Sequence, residues 1–238
     1  MTMAETKTRR ATILGVALAL GVPLLGLPTG MLSELARRFG PTGSVEGTLA
    51  REGFFWILTA LVVLVLVIGE RLPPSAIGLK RPRWSTLLWG VAGFVAIYLC
   101  EPLGAFLLNS VGGKVPQQTI AGFTALPIWL LFLIVLRAGV CEEILFRGYG
   151  IERLTALTGS RIIGAVAPGL IFMVGHMQAF GPRYLLFILP TTVVLTALYL
   201  WRRDLIANMI AHFLTDAVGL GAAYAATHGL VPQSAPGS

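Results

Sequence analysis

The chain carries seven apolar runs, at roughly 11–28, 53–70, 84–108, 122–150, 162–180, 184–201 and 205–226, and no other feature constrains its fold as much. Each is close to the 17–25 residues that a helix needs to cross a hydrocarbon core about 30 Å thick. Composition agrees: 55% of the residues are hydrophobic and 12% charged, with a mean hydropathy of +0.80, whereas soluble domains average about 25% charged. The sequence therefore predicts an all-α fold, a polytopic transmembrane helix bundle of about seven to eight helices. No internal repeat, low-complexity tract or long linker divides it, so residues 1–238 read as a single integral-membrane domain.

The net charge of +7 does not point to nucleic acid, because the basic residues sit in short clusters between apolar runs. Lys7, Arg9 and Arg10 precede the first run; Arg71, Lys80, Arg81 and Arg83 follow the second; Arg147, Arg153 and Arg161 follow the fourth; Arg202 and Arg203 follow the sixth. In the intervening polar stretch from Gly30 to Glu52, Arg37, Arg38 and Arg51 are matched by Glu34, Glu46 and Glu52. Under the positive-inside rule these clusters predict a multi-pass plasma (inner) membrane protein with a cytoplasmic N-terminus and a C-terminus outside. The first run reaches about Leu27 and ends without an A-x-A site, so it reads as a spanning helix rather than a cleaved signal. Glu101-Pro102 marks a kink or re-entrant end in the third run. Cys100 and Cys141, with no CxxC spacing, read as buried small hydrophobes. Trp84, Trp89 and Trp201 read as interfacial anchors.

Ionisable side chains at membrane depth cost roughly 2.5–3.5 kcal/mol each on insertion scales, so those that occur need partners or a task. Glu142 and Glu143 follow the fourth apolar run directly. Glu143 and Arg147 are spaced i, i+4 with the glutamate first, the favourable order for a helical ion pair. Glu142, rotated by about 100°, has no partner at that spacing and is the free carboxylate, suited to act as a general base. In the fifth run His176 lies one turn after Phe172. In the seventh, Asn208, His212 and Asp216 recur at i, i+4, i+8 and share one face, which must turn away from lipid. The helix depths can converge only if the fourth helix continues through the FRGYGIERL segment, where Gly148 and Gly150 weaken it. Arg137 and Glu101 are two further buried charges that read as an ion pair.

These residues also form a familiar set. Glu142 to Arg147 matches EExxxR, Phe172 to His176 matches FxxxH, and His212 to Asp216 matches HxxxN/D. Together they resemble the CPBP family of intramembrane proteases, which includes the CAAX prenyl endopeptidases and bacterial relatives linked to bacteriocin self-immunity. Ile77-Gly-Leu-Lys-Arg-Pro82 is similar to a common lead-in of bacterial members, and the resemblance spans roughly residues 75–220. It implies an intramembrane endopeptidase that hydrolyses a peptide bond in a membrane-associated or lipidated protein or peptide. By position, Glu142 would activate water, His176 would position it, and His212 with Asp216 would hold the scissile carbonyl and its oxyanion. Glu143, Arg147, Phe172 and Asn208 would support the site.

The cofactor stays open at this stage. Glu142, His176 and His212 could hold zinc, or serve without metal as a base and two donors; there is no HExxH. Asp216 departs from the asparagine of many members, and an ionised aspartate accepts but cannot donate a hydrogen bond. Two other functions use the same residues: a transporter or proton relay, and a non-catalytic bacteriocin-immunity protein. Each side-chain group also has a plain structural reading, as solvated helix-end carboxylates, a satisfied buried histidine, or hydrogen-bonding glue between helices.

Overall fold

The computed structural model describes residues 3–27 and 30–230; the expected end of the first span at residue 28 lies outside them. Among the described residues there are helices and no strands. Six helices are long and apolar enough to span a bilayer: α1 (Glu5–Gly26), α3 (Val45–Gly69), α4 (Trp84–Ser110), α7 (Arg161–Phe180), α8 (Pro182–Arg202) and α9 (Leu205–Thr227). A short helix, α2 (Met31–Ala36), joins the first two. The seventh span is a bent pair, α5 (Gln117–Thr124) and α6 (Ile128–Thr158), which meet at 116°. The chain is thus an all-α polytopic helix bundle and a multi-pass membrane protein.

Two expected boundaries change. The run at 122–150 is not one straight span, because Pro127 adopts an extended ψ of 142° as the N-cap of α6 and drives the residue before it away from helical geometry. From there α6 runs unbroken through FRGYGIERL to Thr158 and stops at Gly159, whose φ of +72° is the left-handed conformation that ends helices. Pro102 neither ends α4 nor makes it re-entrant; the helix continues for eight residues, to Ser110.

The interior of α6 is π-helical from Ala138 to Ile151, a wider winding with i→i+5 hydrogen bonds that recurs at functional sites. This stretch is the centre of the core. Leu145, Phe146, Tyr149 and Ile151 are buried and pack with Leu20 of α1, Val62 and Leu66 of α3, Phe172 of α7 and Leu205 of α9. The first span is therefore an integral part of the bundle. Small residues set the helix spacing: a Cβ on Gly139 would come within 3.2 Å of the Met209 carbonyl, and one on Gly148 within 3.0 Å of the Ile77 carbonyl. Close approach of this kind is what glycines allow between membrane helices, and it brings α9 onto α6 beside the paired glutamates. The outward faces of the spans carry bare Ile68, Leu88, Leu99, Phe106 and Ile162, as a bilayer solvent requires.

One end of the bundle is laced shut by polar contacts. Glu70 bonds the Tyr149 hydroxyl and pairs with Arg153 at 2.6 Å. Glu152 takes Arg203 at 2.5 Å and Tyr199 at 3.0 Å. Asp204 caps α9 and accepts from Thr86 at 2.6 Å. The Gly78 carbonyl of the 77–82 lead-in accepts from the Leu205 amide at 2.9 Å. The Trp89 and Trp201 rings meet edge-on at 4.5 Å, with Arg202 over both, while Trp84 is bare.

Candidate active site

Glu142 and Glu143 sit in the π-helical part of α6, and α9 supplies the facing stripe. Glu143 is saturated. Its Oε1 accepts from Arg147 at 2.9 Å and lies 2.8 Å from His212 Nδ1, and its Oε2 accepts from Asn208 at 3.2 Å. The expected Glu143–Arg147 pair is present and fully buried. Asn208 also donates to the Leu195 carbonyl at 2.7 Å, tying α8 into the same network. A carboxylate can only accept, so His212 Nδ1 carries a proton, and its Nε2 is turned to the other side.

That other side is where Glu142 lies. His212 Nε2 stands 4.0 Å from Glu142 Oε2 and 3.6 Å from Asp216 Oδ2. Glu142 Oε2 is buried without a hydrogen-bond partner. The side chain of Glu142 is 12% exposed and that of Asp216 33%, against 0% for Glu143, so the site is closed behind Glu143 and opens past Asp216.

Glu142 is not the unpaired carboxylate that straight α-helical spacing suggests. Its Oε1 is bound by Arg137 Nη1 on the same helix, five residues earlier. In an α-helix that interval points away; the π winding beginning at Ala138 brings residues five apart back toward one face. Arg137 also gives its Nε to Glu52 Oε2 of α3 at 2.6 Å. Its partners are Glu52 and Glu142, and the expected pairing of Arg137 with Glu101 is not made. Glu52 reads in the sequence as the balance to Arg51 in a polar loop, yet it is 4% exposed and belongs to the core.

The third motif residue enters from α7. His176 Nδ1 lies 2.8 Å from the Phe172 carbonyl, so that nitrogen also carries a proton and Nε2 is left for other work. The Phe172 ring sits 4.8 Å from the His176 ring and 5.9 Å from that of His212. Arg147 Cζ covers it at 4.0 Å. Phe172 is thus the wall common to both histidines. Among the described residues, no three His, Cys, Asp or Glu side chains converge closely enough to hold a metal ion. The set Glu142, His176 and His212 therefore does not fit a zinc site in this arrangement.

Fold and site together define a multi-pass membrane protein in which carboxylates of α6 and α9 gather round the His212 imidazole, with His176 of α7 joined to them through the Phe172 ring. Residues 124–218 match the family model described as Type II CAAX prenyl endopeptidase Rce1-like. The matched segment contains all three motifs, and over that part the chain is similar to the CAAX-type intramembrane endopeptidases. No curated protein and no solved structure matches the chain.

Proposed function

We propose that the chain hydrolyses a peptide bond of a membrane-associated or lipidated protein or peptide with Glu142 as general base. The observation that carries this reading is the open Glu142 Oε2, buried without a partner and 4.0 Å from His212 Nε2. A water bonded at about 2.8 Å to each atom would subtend roughly 90° between them, a comfortable hydrogen-bond geometry. Glu142 takes a proton from that water as its oxygen bonds to the scissile carbonyl carbon. The same proton then passes to the departing amine nitrogen as the C–N bond breaks. His212, held through Nδ1 by Glu143, turns Nε2 toward the charge that develops on the carbonyl oxygen. Asp216 stands beside that nitrogen as an acceptor. His176 helps to place the water. The metal-free form of the reaction is part of this proposal; no step in it passes through a metal ion.

The basic clusters support a cytoplasmic N-terminus and an outward C-terminus, with the laced end of the bundle toward the cytoplasm. Cleavage of a farnesylated fluorogenic peptide in proteoliposomes is the direct test. Glu142→Gln and His212→Ala are expected to abolish it while the protein stays folded in the membrane, and cleavage is expected to survive exhaustive chelation. Undiminished cleavage by Glu142→Gln, or proton flux lost with the same changes, would overturn the reading.

A further inference from the structure

We propose that Arg137, braced by Glu52, is the positioning residue that aims Glu142 at the reacting water. This inference rests on the hydrolytic reading above and adds residues that lie outside all three motifs. Four side chains of alternating sign run from α3 to the site. Arg51 reaches Glu52 Oε1 at 3.2 Å, Arg137 Nε reaches Glu52 Oε2 at 2.6 Å, and Arg137 Nη1 binds Glu142 Oε1. Phe55 supports the middle of this chain, with the Arg137 guanidinium 4.6 Å above its ring. Arg137 is 7% exposed and Glu52 4%, so neither contact is a solvated surface pair.

The geometry assigns the two oxygens of Glu142 different tasks. Oε1 is fixed by the guanidinium, and Oε2 is thereby left facing His212 Nε2. A planar fork can hold two carboxylates on different N–H groups at a set angle, which a lysine ammonium, a point charge on a flexible stem, cannot do. The clamp depends on the π-helical winding that returns residue 142 toward residue 137. It depends equally on α3, which offers Glu52 from 85 residues away. Without Arg137 the Glu142 carboxylate would be buried beside Glu143 with no cation of its own, and a carboxylate in that position takes up a proton, which ends its use as a base.

Two readouts in proteoliposomes of the full chain test the clamp. With the farnesylated fluorogenic peptide, Arg137→Met is expected to lower kcat about 100-fold with KM within about twofold, the effect of a reacting group misplaced by about 1 Å. Arg137→Lys is expected to recover part of that loss, and Glu52→Gln to lose less than about tenfold, because the bond to Glu142 survives it. In parallel, dicyclohexylcarbodiimide couples to carboxylic acids, and mass spectrometry reads its attachment to Glu142. Labelling is expected to rise at least about fivefold in Arg137→Met and to return toward wild type in Arg137→Lys. Labelling needs no substrate, so it decides the clamp whether or not the peptide is cut; should Arg137→Met fail to fold, Arg137→Lys and Glu52→Gln carry the comparison.

Unchanged labelling together with unchanged kcat in the Arg137 variants would overturn the clamp. If Glu142→Gln is inactive in that case, the hydrolytic reading still stands. If Glu142→Gln cleaves like wild type, the reading falls and the clamp with it.

Discussion

Glu142 and Glu143 are neighbours in sequence and opposites in environment. Glu143 has both oxygens engaged, by Arg147, His212 and Asn208, and no exposed surface. Glu142 has one oxygen held by Arg137 and one left open beside His212. The difference teaches how a membrane interior can use two adjacent charges. A saturated carboxylate is spent on holding helices and orienting an imidazole, and one with an unengaged oxygen is available for chemistry. Both arginine partners stand on the same helix, one four residues after its glutamate and one five residues before. A single change of helical winding thus separates the two roles.

The largest expected effect comes from exchanging each glutamate for glutamine. Glu142→Gln should lower cleavage by about 10²–10⁴-fold, the usual weight of general acid–base catalysis, with little change in thermal unfolding. Glu143→Gln should lose activity and stability together, by roughly 3–5 kcal/mol, because Arg147 is left as an uncompensated buried charge; unfolding in detergent followed beside the activity assay separates the two patterns. If both variants lose only activity, the contrast between a structural and a reactive carboxylate is broken.

Next in size is Gly148→Ala. The added methyl meets Leu205 Cδ2 at 2.8 Å and the Ile77 carbonyl at 3.0 Å, an overpacking cost of about 1–3 kcal/mol that a melting curve would register. Asn208→Ala removes the donor shared by Glu143 and the Leu195 carbonyl, expected to cost about 1–3 kcal/mol and to loosen His212, so that kcat falls along with the melting temperature. The smallest effect is expected from Asp216→Asn. The residue lies 3.6 Å from His212 Nε2 and is the most open member of the group, so activity should stay within about tenfold, less than one oxyanion-hole donor contributes. A larger loss would move Asp216 into the reacting core.

Much of this was legible in the sequence because its signals are local. Run length marked the spans, i, i+4 spacing marked Glu143–Arg147, and a three-membered polar face on α9 marked Asn208, His212 and Asp216. The depth argument asks that α6 continue past Gly148 and Gly150, and it does, since those glycines lie where neighbouring segments press close. The unread parts are non-local or depend on winding. Nothing near Arg137 points to Glu52, which sits 85 residues away on another helix, and the apparent balance of Arg51 with Glu52 concealed it. Counting at about 100° per residue also hides the Arg137–Glu142 contact, because that contact exists only in the wider π turn. Pro127 was visible in the sequence, but the apolar residues on both sides of it disguised the 116° bend.

The most direct test is an experimental density map of the full chain in lipid, at a resolution that places ordered water. The expected result is a water within about 3 Å of both Glu142 Oε2 and His212 Nε2, with Arg137 on the far oxygen of Glu142. A Glu142 side chain turned away from His212, with apolar groups filling the space between them, would contradict it.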